Sequence, residues 1–291
     1  MKVLITGAGG QLGQELQLTA PAQARFVALG RSELAIDDPA AVAEALALHR
    51  PDVLINAAAY TAVDQAESGA EACRQVNADG PGILASACAA ADCRLIHVST
   101  DFVFSGDAGK PYLPSDATSP LGEYGRSKLA GEQAAMAALP TSLVLRTGWV
   151  YSRFGGNFVK TMLRLMGERD TLSVVADQVG TPTWARGLAQ ACWAAAQRPE
   201  LSGIYHYSDA GVCSWYDLAV AIEEEGRALA VLASETAIAP IPGSAYPTPA
   251  QRPAYSVLDK SDTWRDMELD AIHWRKQLRA MLQDMKENNH E

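Results

Sequence analysis

"KVLITGAGGQLGQEL", residues 2–16, joins a short run of β-branched and apolar residues to an amphipathic stretch through a glycine-rich turn. Gly7, Gly10 and Gly13 have the spacing G-x-x-G-x-x-G, a variant of the dinucleotide fingerprint. Glycines let the backbone turn sharply and approach a pyrophosphate, whose charge is stabilised at a helix N-terminus. Because this turn directly follows the first predicted strand, a dinucleotide site is favoured over an ordinary turn.

The alternation of strand and helix continues outward from this stretch. Short apolar runs predict strands, and the longer alanine-rich amphipathic runs between them predict helices. The predicted strands are 2–6, 25–29, 52–57, 94–100, 142–151 and 202–209, and the predicted helices are 11–19, 39–48, 70–91 and 124–138. This order predicts an α/β fold, a Rossmann-type doubly wound parallel sheet covered by helices on both faces.

The pattern changes after about residue 150. We expect residues 1–150 to form an NAD(P)-binding domain, with a strand near 202–208 returning to it. Residues 151–291 are expected to form mainly a smaller C-terminal substrate-binding part. The features predicted there are a helix over 157–168, an irregular proline-rich stretch over 239–253 and a terminal helix over 271–286.

Composition limits the classes of function. A net charge of -10 over 291 residues argues against binding to nucleic acid or to an anionic membrane surface. No apolar run reaches the length of a membrane span, and the N-terminal residues lack a signal-peptide pattern. The five cysteines are odd in number and lack metal-type spacing, which indicates free thiols in a reducing compartment. We therefore expect a cytoplasmic protein.

A second group of residues indicates proton transfer to a carbonyl. Tyr124 and Lys128 are four residues apart at the start of a predicted helix and therefore share one helix face. Thr100 ends the fourth predicted strand, at the sheet edge that lines the ligand crevice in such folds. An ammonium group beside a phenol favours the phenolate, so Lys128 is expected to lower the pKa of Tyr124 from near 10. The pair would then exchange a proton with a substrate oxygen near neutral pH.

The end of the second predicted strand indicates which cofactor is used. Arg31 and Ser32 stand where NAD enzymes usually present an acidic residue to the ribose diol. An arginine at this point can pair with the 2′-phosphate of NADPH, which favours that cofactor. Glu33 lies close by in the chain, and it keeps NADH open as the alternative.

Taken together, these motifs resemble the extended short-chain dehydrogenase/reductase family, and within it the dTDP-4-dehydrorhamnose reductases. The resemblance implies NAD(P)H-dependent reduction of the 4-keto group of dTDP-4-dehydro-6-deoxy-L-mannose to dTDP-L-rhamnose, a sugar donor for surface polysaccharide. It rests on ordered blocks along nearly the whole chain: "GGQLGQEL", "RPDVLINAAAYTAVDQAE", "VSTDFVFSG", "DATSPLGEYGRSKLAGE", "LRTGWVY", "NFVKTMLRL", "TLSVVADQVGTPT" and "AYPTPAQRPAYSVLD".

The resemblance also implies roles for individual residues. Tyr124 matches the general acid, Lys128 its partner and Thr100 the hydroxyl that contacts the carbonyl. The residues implied to contact the cofactor are Gly7, Gly10, Gln11, Leu12, Gly13, Arg31, Ser32, Asp37, Asp38, Ala59, Tyr60, Thr61, Val98, Tyr124 and Lys128. Those implied to contact the sugar nucleotide are Thr100, Asp101, Trp149, Asn157 and Arg252. Core packing for Trp149, and helix capping for the aspartates, are competing interpretations.

Two questions stay open at this stage. Some members of the resembled family form a homodimer through Mg²⁺ bound by glutamates, and Glu15 matches one ligand. Arg186 stands where another ligand would be acidic, and an arginine repels the ion, which argues against a metal-bridged dimer. The second question is the reaction: an epimerase, a 4,6-dehydratase or a non-catalytic regulatory subunit could share this fold. Phe102, where such dehydratases carry an acid, argues against dehydration, and the intact Tyr/Lys pair argues against a non-catalytic role.

Overall fold

The computed structural model describes residues 1–288. Strands and helices alternate in the first half. Their order is β1 (Lys2–Thr6), α1 (Gln11–Leu18), β2 (Arg25–Leu29), α2 (Pro39–His49), β3 (Val53–Asn56), α3 (Val63–Ala66), α4 (Ala70–Arg74), α5 (Gly80–Ala90), β4 (Arg94–Thr100), α6 (Glu123–Ala138), β5 (Leu143–Thr147) and β6 (Val150–Tyr151). A π-helical turn, Gln75–Asp79, joins α4 to α5, and a 3₁₀ turn, Asp101–Val103, follows β4.

The second half contains shorter strands between its helices. Their order is α7 (Phe158–Glu168), β7 (Thr171–Val175), β8 (Val179–Gly180), β9 (Thr183–Trp184), α8 (Ala185–Ala196), β10 (Gly203–His206), β11 (Cys213–Ser214), α9 (Trp215–Ala228), β12 (Ala237–Ile241), α10 (Ser261–Asp266) and α11 (Trp274–Asn288). Helices α7, α9 and α11 pack around a second apolar core that includes Met162, Ile222 and Leu278. No helix within residues 1–288 has the length and apolarity needed to cross a membrane.

The main sheet is parallel and has six strands in the order β2-β1-β3-β4-β5-β10. One apolar core joins it to α1 and α8, and another joins it to α2, α5 and α6. The predicted doubly wound α/β fold is therefore confirmed. The strand order reverses between β1 and β3, and in such sheets ligands bind outside the carboxyl ends of the strands at this reversal.

Three predicted elements differ from the structure. The strand predicted over 142–151 is broken at Gly148 and Trp149, and Trp149 has a φ of +52°. The helix predicted over 70–91 contains a π-helical turn. The stretch 239–253 was expected to have no regular element, but its first residues belong to β12, which pairs in parallel with β7. Pro240 is tolerated there because β12 is an edge strand of a two-stranded sheet.

Candidate active site

The turn after β1 is built so that only glycine fits at two of its positions. Gly7 has a φ of +71°, and a Cβ placed on it would lie 2.7 Å from the Ala58 nitrogen. A Cβ on Gly13 would lie 2.2 Å from the Gly7 oxygen. Gly10 forms the N-cap of α1 without a side-chain cap, which leaves the first backbone N–H groups of the helix available to an anion. This cradle fits the pyrophosphate of a dinucleotide.

The close approach of Gly13 to Gly7 allows the predicted role of this cradle in cofactor binding to be tested. We expect Gly13→Ala to weaken NADPH binding by about tenfold or more, because the methyl group forces the turn apart and misplaces the N–H donors. Gly9→Ala is the matched control, since a Cβ on Gly9 meets no atom within 4 Å. Titration of each variant with NADPH by calorimetry measures the effect. Equal affinities for the two variants would contradict the assignment.

The loop after β3 carries Ala59, Tyr60 and Thr61 along the same edge of the sheet. Asn77, in the π-helical turn, holds this loop: its Oδ1 accepts from the Tyr60 N–H at 2.8 Å, and its Nδ2 donates to the Tyr60 carbonyl at 2.9 Å. The extra residue of the π turn aims this side chain at the loop. Sequence reasoning missed Asn77, although a polar residue on the buried side of a predicted helix was an available signal.

The segment after β2 presents the residues that are predicted to select the cofactor. Arg31 and Ser32 are exposed, and Glu33 folds back to accept a hydrogen bond from the Gly30 N–H at 2.8 Å. Asp37 is exposed in the same segment, whereas Asp38 caps α2. The Asp38 Oδ1 accepts from the backbone N–H groups of the second and third helical residues at 2.9 and 3.1 Å. One oxygen of Asp38 is thus engaged in holding the helix.

Thr100 and Tyr124 are brought together by β4 and the first turn of α6. The Thr100 hydroxyl lies beside the Tyr124 phenol, close enough to oppose the rise of its pKa. The same hydroxyl donates to Asp101 Oδ1 at 3.1 Å and accepts from the Phe102 N–H at 3.2 Å. The Phe102 ring packs edge-on against Tyr124 with centroids 5.7 Å apart. Two hydroxyls therefore converge where a carbonyl oxygen could accept a hydrogen bond from each.

Lys128 does not lower the pKa of Tyr124 as the sequence predicts. Its Nζ donates to the Val98 carbonyl at 2.7 Å and lies 3.4 Å from His97 Nε2. Burial raises the pKa of Tyr124 to about 12. The Thr100 hydroxyl opposes this rise, and the charge of Asp101 adds to it. The expected lowering of the Tyr124 pKa by Lys128 is therefore wrong for this structure, because desolvation dominates and the ammonium is held at the strand. A phenol with this pKa stays protonated at neutral pH.

Asp101 lies beneath the site. The residue is 2% exposed, and burial raises its pKa to about 6, against hydrogen bonds from Ser256 and Thr100 that lower it. A Cβ on Gly148 would lie 2.5 Å from this carboxylate, so only glycine fits at that position. The break between β5 and β6 thus lets the chain pass close to Asp101.

Trp149 follows that glycine and stacks face to face on Trp215, with ring centroids 3.5 Å apart and an interplanar angle of 3°. Gly180 lies directly against the Trp149 indole, where a Cβ would be 2.6 Å from Cε2. The positive φ of Trp149 is uncommon for a bulky residue and indicates that packing holds it there. Trp215 was not predicted as a site residue, because no local sequence pattern indicates a contact between residues 66 positions apart (215 minus 149).

The remaining two predicted substrate residues take different places. Arg252 pairs with Asp64 at 2.7 Å and lies over the Phe102 ring, 5.9 Å from its centroid. The same ring packs against Tyr124. Asn157 caps α7, and its Nδ2 donates to Gln11 Oε1 at 2.9 Å. The structure thus places Asn157 beside the turn after β1, where it ties α7 to the phosphate cradle. Leu12, next to Gln11, is buried in the core beneath that turn.

Glu15, the candidate magnesium ligand, is engaged by a cation of the chain itself. Arg186 Nε lies 2.9 Å from Glu15 Oε2, and the same guanidinium contacts Asp284 at 2.8 Å. Within residues 1–288, no cluster of three or more histidine, cysteine, aspartate or glutamate side chains is suited to hold a metal ion. The donor set at Glu15 therefore does not fit Mg²⁺.

Behind Thr100, a buried ion pair supports the end of β4. Glu132 and Arg146 are each 2% exposed and form a two-pronged pair, with nitrogen–oxygen distances of 2.9 and 2.7 Å. The Ser99 hydroxyl donates to Glu132 as well. Neither Glu132 nor Arg146 was predicted as functional from the sequence. Because Ser99 precedes Thr100, this pair holds the strand end that carries the hydroxyl predicted to contact the carbonyl.

A model of the family described as the RmlD substrate binding domain matches residues 1–287. The chain belongs to this family. A relative from Burkholderia thailandensis named dTDP-4-dehydrorhamnose reductase is 41% identical over 98% of this chain and 99% of its own length. These findings confirm the family resemblance seen in the sequence.

Two further relatives extend the comparison. A relative from Streptomyces antibioticus, named probable dTDP-4,6-dihydroxy-2-methyloxan-3-one 4-ketoreductase, is 44% identical over 100% of this chain and 97% of its own length. The solved structure of dTDP-4-dehydrorhamnose reductase from Bacillus anthracis in complex with NADP matches with a TM-score of 0.91. Its sequence identity is 33%, and the match covers 97% of this chain and 99% of that one.

Proposed function

We propose that this chain is an NAD(P)H-dependent oxidoreductase that reduces the 4-keto group of dTDP-4-dehydrorhamnose to give dTDP-L-rhamnose. The observation that carries the proposal is the convergence of the Thr100 and Tyr124 hydroxyls at the sheet edge that also bears the glycine cradle. Full-length relatives at about 40% identity bear the name of this activity, which supports the choice of substrate.

In the proposed mechanism, the chain holds the cofactor and positions the substrate carbonyl. Gly7, Gly10 and Gly13 would hold the pyrophosphate, and Arg31 would face the adenosine ribose. When bound, the reduced nicotinamide supplies the two electrons and the hydrogen that reduce the carbonyl carbon. Other residues proposed to contact the cofactor are Gln11, Leu12, Ser32, Asp37, Asp38, Ala59, Tyr60, Thr61, Val98 and Lys128.

Tyr124 is proposed to be the general acid. Its raised pKa keeps the phenol protonated at neutral pH, which is the form needed to protonate an alkoxide. The Thr100 hydroxyl, which donates to Asp101 Oδ1 in this structure, would redirect that hydrogen bond to the same oxygen and so stabilise the charge that develops there. The stacked Trp149 and Trp215 offer an apolar wall on which a sugar ring could pack.

The substrate test is a steady-state assay. Purified protein is mixed with NADPH and, in separate reactions, with dTDP-4-dehydrorhamnose and other 4-keto-6-deoxy nucleotide sugars, and loss of NADPH absorbance is followed. We expect the largest kcat/KM with dTDP-4-dehydrorhamnose. No NADPH consumption with any of these sugars would contradict the proposal, and it would leave the epimerase or non-catalytic alternatives.

A second candidate function is the reduction of a different dTDP-4-keto sugar. It is favoured by the relative from Streptomyces antibioticus, whose name specifies such a ketoreductase. The hydroxyl pair and the cradle would serve both reactions equally, because they act on the carbonyl and the cofactor rather than on the rest of the sugar. The same substrate panel separates the two, since a clearly larger kcat/KM for another 4-keto sugar would favour this second function.

The preference for NADPH is proposed on the exposed Arg31. Arg31→Ala is expected to weaken NADPH binding by about tenfold, because a charge-assisted hydrogen bond to the 2′-phosphate is lost, with NADH binding unchanged. Arg25→Ala is the matched control, since Arg25 is exposed at the opposite end of the same strand. Dissociation constants for both cofactors are measured by calorimetry. Equal losses for NADPH and NADH would rule out a role specific to the 2′-phosphate.

The location of the sugar nucleotide, two of its contacts and the form of a homodimer are further proposals. We place the sugar nucleotide between residues 1–150 and the smaller part formed mainly by residues 151–291, near Thr100, Asp101 and Trp149. Asn157 and Arg252 are retained as proposed substrate contacts. A homodimer would have to form without Mg²⁺ at Glu15, since Arg186 already neutralises that carboxylate.

A further inference from the structure

A row of polar side chains crosses the interior of the main sheet and ends at Lys128. Thr6 on β1, Asn56 on β3 and His97 on β4 are register partners across three adjacent strands. All three side chains are buried, with exposures of 0, 1 and 0%. Burying polar residues at such central positions costs free energy unless each polar group makes a hydrogen bond. The hydrogen bonds within the row are therefore what make its burial possible.

The hydrogen bonds along the row determine where the proton of His97 lies. The Ala58 backbone N–H donates at 3.1 Å to Asn56 Oδ1, so this atom must be the amide oxygen. The Thr6 hydroxyl donates to the same oxygen at 2.6 Å. Asn56 Nδ2 therefore donates to His97 Nδ1, at 3.0 Å. A neutral imidazole that accepts at Nδ1 carries its hydrogen on Nε2.

That Nε2–H faces Lys128 Nζ at 3.4 Å. An ammonium group has no lone pair and cannot accept from it, whereas a neutral amine can. His97 itself stays neutral, because burial and the nearby Lys128 charge lower its pKa well below the usual range. The contact therefore favours the amine form of Lys128 over the ammonium form.

We propose that Thr6, Asn56 and His97 form a tautomer lock that aims an N–H at Lys128 and makes the Lys128 proton easier to release to Tyr124. His97 is a positioning residue in this scheme, since it acts through Lys128. The inference deepens the proposed function and rests on it, because restoring Tyr124 matters only if Tyr124 donates a proton in each turnover.

The proton that Tyr124 loses in a turnover is replaced from Lys128. Tyr124 gives its proton to the product oxygen and becomes a phenolate. An N–H bond of the Lys128 ammonium then breaks, the phenol O–H re-forms, and the amine nitrogen keeps the electron pair. That pair accepts the hydrogen bond from His97 Nε2–H, which stabilises the amine. Water returns a proton to Lys128 before the next turnover.

The surroundings of Lys128 shift its pKa in both directions. Burial lowers the pKa of Lys128 to about 8, while the charge of Glu132 opposes this shift. Lys128 thus holds its proton at neutral pH yet is poised to lose it. The titratable and hydrogen-bonding groups that face it are Glu132 on its own helix, Cys73 on α4, and His97 and the Val98 carbonyl on β4. Tyr124 lies one helical turn before Lys128 on α6.

The first test reads the tautomer directly in the cofactor-free protein. Long-range ¹H–¹⁵N correlation spectra distinguish Nε2–H from Nδ1–H imidazole, and the His97 signals are assigned by their loss in His97→Asn. We expect the Nε2–H form. A proton on Nδ1 would overturn the proposal, and the measurement needs neither substrate nor turnover.

The second test titrates Lys128 by NMR in protein labelled at lysine Cε, with its signal assigned by its loss in Lys128→Met. His97→Asn keeps an oxygen that can accept from Asn56 but removes the N–H aimed at Lys128, so the titration should move upward by about one pH unit. His206→Asn, which removes another buried histidine, should leave it unchanged. An unchanged titration in His97→Asn would overturn the proposal. Absence of NADPH-dependent turnover in the wild type would overturn the proposed function instead.

Discussion

Replacing Tyr124 with phenylalanine is expected to lower kcat by about 100- to 10,000-fold, the usual contribution of a positioned general acid. The substitution removes one hydroxyl and keeps the ring that packs edge-on against Phe102, so the fold and the cofactor cradle should persist. The loss should therefore appear in kcat, with the dissociation constant for NADPH near that of the wild type. Steady-state kinetics together with calorimetric titration measure both quantities.

The control for this variant is Tyr246→Phe, since Tyr246 is 63% exposed and the change removes the same atom from a surface position. Its kcat should match that of the wild type. Turnover by Tyr124→Phe at the wild-type rate would exclude Tyr124 as the proton donor. A large loss of NADPH affinity in Tyr124→Phe would instead assign the residue to cofactor binding.

Replacing Glu132 with alanine is expected to have the largest effect on stability. The substitution leaves the Arg146 guanidinium, which is 2% exposed, without its carboxylate partner. Removing one partner of a buried ion pair costs about 3–5 kcal/mol, because the remaining charge is left uncompensated. Ser99 also loses the oxygen to which it donates, so the strand end before Thr100 should loosen.

Chemical denaturation followed by circular dichroism measures the free energy of unfolding. Glu168→Ala is the matched control, since it breaks an exposed pair with Arg164 on α7 that is worth about 0.3–0.5 kcal/mol. If both variants lose the same small amount, the Glu132–Arg146 pair is not a structural support. A loss of kcat in Glu132→Ala under conditions where the protein is fully folded would link the pair to the placement of Thr100.

Much of the fold was predictable because its signals are local. The β-branched runs and the glycine spacing around Gly7 and Gly13 report backbone conformation directly, and both glycines proved sterically necessary. The break at Gly148 and Trp149 was not predictable, because it depends on the carboxylate of Asp101, which follows a different strand. Pro240 was assigned to an irregular stretch because the sequence does not reveal that its strand lies at an edge.

The sequence by itself determined the order of strands and helices, the phosphate turn and the candidates Thr100, Tyr124 and Lys128, because each depends on neighbours within a few residues. Only the tertiary structure decided how those candidates behave. Burial raises the pKa of Tyr124, and β4 draws the Lys128 ammonium to Val98. Desolvation, ion pairing and hydrogen-bond direction depend on groups that folding brings together from distant positions, so they cannot be derived from spacing along the chain.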